Sequence, residues 1–217
     1  KAQLEKTYNL EISQLIELEF RKYENVEIIQ THREDVNLNV KKRIQYAVKN
    51  NADYIISLHS NFLADEDKKV TGSMVIVPGT HYQPPKSKVK NIYNVTNSMG
   101  HSIIKKLKET GFPIADVDNG VIRRVYKHKK GEKNNAVYYD DGSAADLNQT
   151  MRQGIMAGIP TIVIKHSYMS TEEEFDKYLS TWKNLQDLAK ADVQGIAEAL
   201  NLKEKPERTK PNVLSYV

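Results

Sequence analysis

Two short apolar runs place the strongest limit on how this chain can fold. One is Asp53-Tyr-Ile-Ile-Ser-Leu-His59, and the other is Thr161 to Lys165, which follows the helix-breaking triplet Gly158-Ile159-Pro160. Runs of this kind are typical of strands that are buried on both faces, as in sheets covered by helices. Together with the helical patterns between them, they indicate an α/β domain.

The remaining segments alternate between helical and strand patterns. Apolar residues at helical spacing predict helices over Tyr8–Lys22, Leu38–Lys49, Val89–Thr110, Leu147–Ala157 and Asn184–Leu200. Further strands are predicted over Val26–Gln30, Gly72–Pro78 and Val121–Tyr126. The pattern favours a single three-layer domain over residues 1–202, with a mostly parallel twisted sheet flanked by helices. Residues 203–217 contain two prolines and are predicted to be a linker or tail.

Composition excludes several kinds of site. The chain has no cysteine, which excludes disulfides, a thiol nucleophile and a cysteine-rich zinc site, so a metal would have to use His and carboxylates. No run approaches the roughly 18 apolar residues of a membrane span, and Lys1 to Tyr8 do not resemble a signal peptide. The formal charge of +4 suggests weak attraction to polyanions. The lysine clusters lack interleaved aromatic residues, so nucleic acid is not the expected partner.

His59 is the first candidate for chemistry, because ligands bind at the carboxyl ends of strands in open α/β sheets. A histidine at such a position is also commonly a hydrogen-bonded structural residue. Its surroundings add to the signal. Ordered around it are Thr31-His-Arg33, Arg43, Ala47, Ala52-Asp53 and Ser57-Leu-His-Ser-Asn61.

This order resembles the zinc-dependent N-acetylmuramoyl-L-alanine amidases, which hydrolyse peptidoglycan. The resemblance continues through Tyr139-Asp-Asp-Gly-Ser-Ala-Ala-Asp146, Met156-Ala-Gly-Ile-Pro160 and Ala189–Ala197, and covers about Glu5 to Leu202. It is similar in particular to the branch from low-GC Gram-positive bacteria and their phages. It implies an autolysin or endolysin that is secreted and works outside the cell or in the cell wall.

The resemblance implies specific roles. His59 and Glu5 would be zinc ligands, although Glu5 taken without the resemblance is better explained as a carboxylate that stabilises a helix N-terminus. Asn61 would bind substrate or orient the His59 loop, or simply form a turn. Zinc would activate water to cleave the amide between N-acetylmuramic acid and L-alanine, and a glutamate at the end of the last core strand would act as general base.

Two departures from the family pattern stand out. The first His ligand of the family lies in an Asp-Pro-Gly-His-Gly segment at the end of a strand upstream of Glu5, so we expect that strand and that ligand to be missing. The expected glutamate is replaced by Lys165 in Pro160-Thr-Ile-Val-Ile-Lys-His-Ser167. An ammonium group repels Zn²⁺ and does not accept a proton from water at its ordinary pKa. Hydrolysis by this chain should therefore be impaired.

Replacement of the missing base by a neighbour is a weaker possibility. His166 should point to the opposite face of its strand, and Glu172, Glu173 and Glu174 are placed at a helix start. His32, His81, His101 and His128 are expected to be surface or structural residues. The main alternative function is a non-catalytic peptidoglycan-binding homologue. The motifs expected of an unrelated α/β hydrolase or a nucleotide-binding protein are absent from the sequence. A basic nucleic-acid binder is a further alternative, and it would show salt-dependent binding.

Overall fold

The computed structural model describes residues 2–34, 36–61, 71–127, 137–168 and 172–206, with the backbone alone at 2–4, 61 and 168. Six α-helices lie in these ranges: α1 (Ala2–Phe20), α2 (Val40–Lys49), α3 (Ile92–Glu109), α4 (Gln149–Met156), α5 (Glu172–Tyr178) and α6 (Trp182–Leu200). The same ranges contain four strands: β1 (Ile55–Asn61), β2 (Met74–Ile76), β3 (Val121–Ile122) and β4 (Thr161–Tyr168). The five predicted helices are therefore confirmed with shifted ends.

The four strands form one sheet in the order β1-β4-β2-β3. β1 and β4 are parallel, and so are β2 and β3, whereas β2 runs antiparallel to β4. The predicted α/β class is confirmed, and the sheet is mixed, with parallel pairing in two of its three ladders.

Helices cover both faces of the sheet and give the three layers that the sequence predicts. Ile162 and Ile164 of β4 pack on one face with residues of α1, α3 and α6. Val163 points to the other face and packs with Met151 and Ile155 of α4. Because β4 has a strand on each side and helices above and below, its central residues are almost fully buried.

Side-chain and glycine caps fix the ends of the helices. Asn39, Asn148 and Thr181 each accept a hydrogen bond from a backbone amide of the first turn of α2, α4 and α6. Gly111 follows α3 with φ +91°. The amides of Gly111 and Phe112 return to the carbonyls of Lys108 and Leu107, which is the Schellman pattern that favours glycine there.

The predicted strand Val26–Gln30 is wrong. These residues belong to no strand, and their backbone makes no ladder hydrogen bond within the described ranges. A cavity of about 1060 Å³ lies between this segment and β1 and is lined by consecutive residues of both, 25–32 and 50–59. Consecutive residues include both faces of an extended chain, so the cavity follows the backbone edges. The segment lines the same cavity as β1 and pairs with no strand of the described ranges.

The end of the described chain packs on residues 22–24, just before that segment. The amide of Glu24 donates to the carbonyl of Lys203 over 2.9 Å, and the amide of Lys205 donates to that of Lys22 over 2.7 Å. The proposed tail thus begins as a short antiparallel contact, and residues 207–217 lie outside the described ranges. None of the helices described is both long and apolar enough to cross a bilayer.

Candidate active site

Glu5 and His59 come together at the carboxyl end of β1. Glu5 lies in the first turn of α1, and its Oε1 atom is 3.5 Å from Nδ1 of His59. Both side chains are partly exposed, at 30% and 41% of their surface. The other ring nitrogen of His59 lies 3.3 Å from Oγ of Ser57. A carboxylate and an imidazole that are both reachable from solvent can bind a cation or a polar ligand.

The surroundings of Glu5 favour its ionised form. A hydrogen bond with His59 is the largest cause that lowers the pKa of Glu5 below its ordinary value. Partial burial opposes this shift, while the charge of His59, the backbone amide of Ser60 and the charge of Lys165 lower the pKa further. The carboxylate is therefore available as an anionic ligand at neutral pH.

A second contact fixes α1 against the end of β1. The Ser60 hydroxyl donates to Oδ1 of Asn9 over 3.1 Å. Glu5 and Asn9 are four residues apart on α1 and so lie on one side of that helix. This spacing is a signal by which sequence reasoning can identify Asn9 as a residue that positions the site, a role that our sequence analysis did not give it.

Lys165 is the direct neighbour of His59 across the sheet. The two residues are paired in register on the parallel strands β1 and β4, so their side chains leave the same face. Lys165 is half-buried. Burial is the main cause that lowers the pKa of Lys165 below its ordinary value, and the charge of Arg124 adds to this, while Glu5 opposes it. The structure therefore places an ammonium group beside the Glu5–His59 pair.

Arg124 is a residue of this site that the sequence analysis missed. It follows β3 by two positions and is exposed, and its backbone carbonyl accepts a hydrogen bond from the amide of Leu147 over 2.9 Å. Residues two apart in an extended chain share a face, so Arg124 continues the face of Ile122. This two-residue spacing can be seen in the sequence and predicts which face Arg124 shares. Its closeness to Lys165 on β4 depends on the strand order.

Asn61 is the last residue of β1. It is paired with Tyr168 after a register shift that follows Ser60. Its side chain is outside the described part of the structure. Its role in substrate binding stays a prediction.

Two of the groups that might replace a base, His166 and Glu174, are engaged elsewhere, while Glu172 and Glu173 are exposed in the first turn of α5. His166 is fully buried on the opposite face, as predicted, and bonds to Asp192. Glu174 is buried and accepts hydrogen bonds from the Gly72 amide at 2.8 Å and the Ser167 hydroxyl at 2.5 Å. Both groups are held inside the core, where they cannot reach a ligand at the end of β1.

Among the other described histidines, His81 and His32 make contacts of their own. His81 is exposed and contacts the ring of Tyr93 in a tilted arrangement, with ring centroids 3.8 Å apart, and His101 is exposed on α3. His32 lies 2.9 Å from the hydroxyl of Thr31. His128 lies outside the described ranges.

The described residues do not make up a complete catalytic zinc site. Such sites use three protein ligands and a water, whereas no group of three or more His, Cys, Asp or Glu side chains within the described ranges could hold a metal. Glu5 and His59 supply two donors, and Lys165 and Arg124 add positive charge nearby. Two donors fall short of the three protein ligands that a catalytic zinc site uses.

Comparison with known proteins agrees with the fold and the motifs. The family model described as N-acetylmuramoyl-L-alanine amidase matches residues 1–198. No curated protein sequence matches the chain.

Three solved amidases share the fold. The catalytic domain of CwlV from Bacillus (Paenibacillus) polymyxa var. colistinus is 20% identical with a TM-score of 0.59, and the match covers 92% of this chain and 86% of that one. AmiC2 of Nostoc punctiforme is 17% identical with a TM-score of 0.63, covering 91% and 84%. The Mycobacterium smegmatis amidase is 15% identical with a TM-score of 0.63, covering 91% and 77%.

Proposed function

The chain belongs to the N-acetylmuramoyl-L-alanine amidase family, and from this membership we propose a peptidoglycan amidase domain directed at the bond between N-acetylmuramic acid and L-alanine. Peptidoglycan is then its partner. The cell wall or the extracellular space is its place of action. Residues 1–202 would form this domain, with residues 203–217 as a linker or tail.

The observation that carries the proposal is the Glu5–His59 pair. Its atoms lie 3.5 Å apart at a strand end, where α/β folds place their ligand sites, and a shared hydrogen bond keeps Glu5 ionised. We assign both residues as zinc ligands. A third ligand would have to come from outside the described residues.

Lys165 makes hydrolysis by this chain weak. A general base must accept a proton from water, and the Lys165 ammonium accepts none while it is charged. It also lies beside the proposed ligands, where it opposes a bound cation. We therefore propose an amidase fold whose catalytic step is impaired at position 165.

A second candidate is a non-catalytic peptidoglycan-binding homologue, and Lys165 is the observation that favours it. Such a protein would keep the cavity beside β1 and would no longer hydrolyse peptidoglycan. The two candidates predict the same binding to peptidoglycan. They differ in whether restoring a carboxylate at position 165 restores cleavage.

The test compares the natural chain, Lys165→Glu and the matched control Lys190→Glu, which changes an exposed lysine of α6. Each is incubated with purified peptidoglycan and zinc, and release of new alanine amino groups is measured beside co-sedimentation. A positioned general base contributes about a hundredfold or more, so Lys165→Glu should gain that much hydrolysis. Binding without cleavage by all three favours the second candidate. Neither binding nor cleavage contradicts both.

A further inference from the structure

The Lys165 side chain carries a charge that no ion pair balances among the residues that the structure describes. It is half-buried, yet it makes no ion pair within 4 Å with any carboxylate of the described ranges. Lysines that are far more exposed, such as Lys105 and Lys183, do make such pairs. Because removing a charge from water is costly unless it is paired, an unpaired ammonium at this position indicates an anion that the described residues do not supply.

Arg124 strengthens this indication. Its charge is close enough to disfavour the ammonium of Lys165, and no carboxylate of the described residues forms an ion pair with it. Glu5, the carboxylate whose charge acts on Lys165, is already engaged by His59 and the Ser60 amide. Lys165 therefore has a cation beside it and a carboxylate that is already in use. A negatively charged ligand would relieve the repulsion between Lys165 and Arg124.

We propose that Lys165 and Arg124 bind the free lactyl carboxylate of glycan chains from which the stem peptide has been removed. This inference rests on the proposed function, which places the lactyl–alanine bond at this strand end. Hydrolysis breaks the carbon–nitrogen bond, gives the acyl carbon an oxygen from water, and leaves a carboxylate on the glycan and an ammonium on alanine. The amide is uncharged at that carbon and the product carries a full negative charge.

The same substitution that disables the base thus changes the preferred ligand. A glutamate at position 165 would repel the product carboxylate, whereas a lysine attracts it and has no comparable charge to attract in the amide. The proposed ligand of the domain is therefore glycan from which the stem peptides have been removed. Other wall carboxylates share this chemistry, in particular those of the stem peptide, and the experiment must separate them.

The test uses three small probes with the full chain in isothermal titration calorimetry. The first is the N-acetylglucosamine–N-acetylmuramic acid disaccharide with its free lactyl carboxylate. The second is the same disaccharide carrying the stem peptide through the amide, and the third is the free stem peptide. We expect the acid to bind about tenfold or more tightly than the amide, the factor given by one charge-assisted hydrogen bond.

Lys165→Gln and Arg124→Gln should each remove most of that preference, while Lys190→Gln should keep it. Thermal denaturation of each variant checks the fold, and Lys165→Gln should not lower stability because it removes an unbalanced charge. Equal binding of acid and amide overturns this inference and leaves the proposed function standing. Binding of neither disaccharide overturns both. Preferred binding of the free stem peptide overturns the assignment to the lactyl group.

Discussion

Nε2 of His166 lies 2.8 Å from Oδ2 of Asp192, and neither side chain has exposed surface. His166 is on β4 directly after Lys165, and Asp192 is on α6, so the contact joins the sheet to a helix layer. Because side chains alternate along a strand, residue 165 faces the candidate site while residue 166 faces the core. The remaining polar atoms of the pair, Nδ1 and Oδ1, have no hydrogen-bond partner among the described residues. The pair is a structural link.

Replacing Asp192 by Ala should lower the free energy of unfolding by about 3 kcal/mol, because it leaves the buried imidazole without its partner. Asp192→Asn should lose less, since an amide still hydrogen-bonds the ring. Urea unfolding measures both. Lys190→Ala, an exposed change two residues earlier on α6, is the control. A loss no larger than that of the control would show that the pair contributes nothing.

The sequence predicts which face His166 occupies, but it does not predict that Asp192 is its partner. Alternation along Thr161–Lys165 predicts that His166 turns away from Lys165, and this is confirmed. Its partner is 26 residues away on a helix, and no local pattern marks which helical carboxylate will meet it. The alternation of side chains along a strand predicts which face of the sheet a residue occupies. The residue that it contacts on another element depends on tertiary packing.

The same limit explains two other differences between prediction and structure. Val26–Gln30 has the composition of a strand, but a strand requires a paired edge, and this segment lines a cavity beside β1 without a ladder hydrogen bond to any described residue. Arg124 reaches the site because β3 is two strands away from β4 in a mixed sheet. The motifs around His59 and Glu5 are sufficient to predict that these two side chains meet, because both residues lie near the ends of their elements.

Asp146 gives a pH-dependent prediction. It is buried and accepts hydrogen bonds from the Gly79 amide at 2.8 Å and the Tyr139 hydroxyl at 2.7 Å. Burial raises the pKa of Asp146 above its ordinary value, although both hydrogen bonds oppose the shift. Between the unfolded-state pKa and this raised pKa, the folded state therefore binds more protons than the unfolded state, so the stability falls as pH rises across that interval.

Urea unfolding of the natural chain and of Asp146→Asn should be compared between about pH 4 and pH 7. Asn lacks the titrating group, so the stability of the natural chain relative to Asp146→Asn should decline across this range. A difference that stays constant with pH would mean that the pKa of Asp146 is not shifted. A difference that grows with pH would mean that its shift is downward.

Gly195 lies where α6 packs closely against α3, and a larger residue there should destabilise the protein. A Cβ atom at this position would lie 2.5 Å from Cα and 2.6 Å from the amide nitrogen of Ile103. Gly195→Ala should destabilise the protein by about 1–3 kcal/mol through this overlap with backbone, which exceeds the gain of under about 1 kcal/mol expected for Gly→Ala in a helix. Gln194→Ala, the neighbouring position, is the control. A stabilised Gly195→Ala would show that the helices can separate at no cost.

Zinc binding tests the electrostatic role of Lys165 independently of hydrolysis. The ammonium is the cross-strand neighbour of His59 and close enough to Glu5 to affect its pKa, so it should weaken binding of a divalent cation to this pair. Removing the charge with Lys165→Gln should raise the zinc affinity by about tenfold at low salt, and by less at high salt because the repulsion is screened. Competition with a chromophoric chelator measures the affinity directly.

Two further variants separate the ligands from their surroundings. His59→Ala and Glu5→Gln should each abolish the zinc binding that Lys165→Gln strengthens, because each removes one of two donors. Lys190→Gln should leave it unchanged, since that lysine is exposed on α6. Zinc that persists in His59→Ala would place the metal elsewhere. Equal affinity in Lys165→Gln and the natural chain would mean that the ammonium does not face the metal, and the lost base alone would then have to explain any impairment.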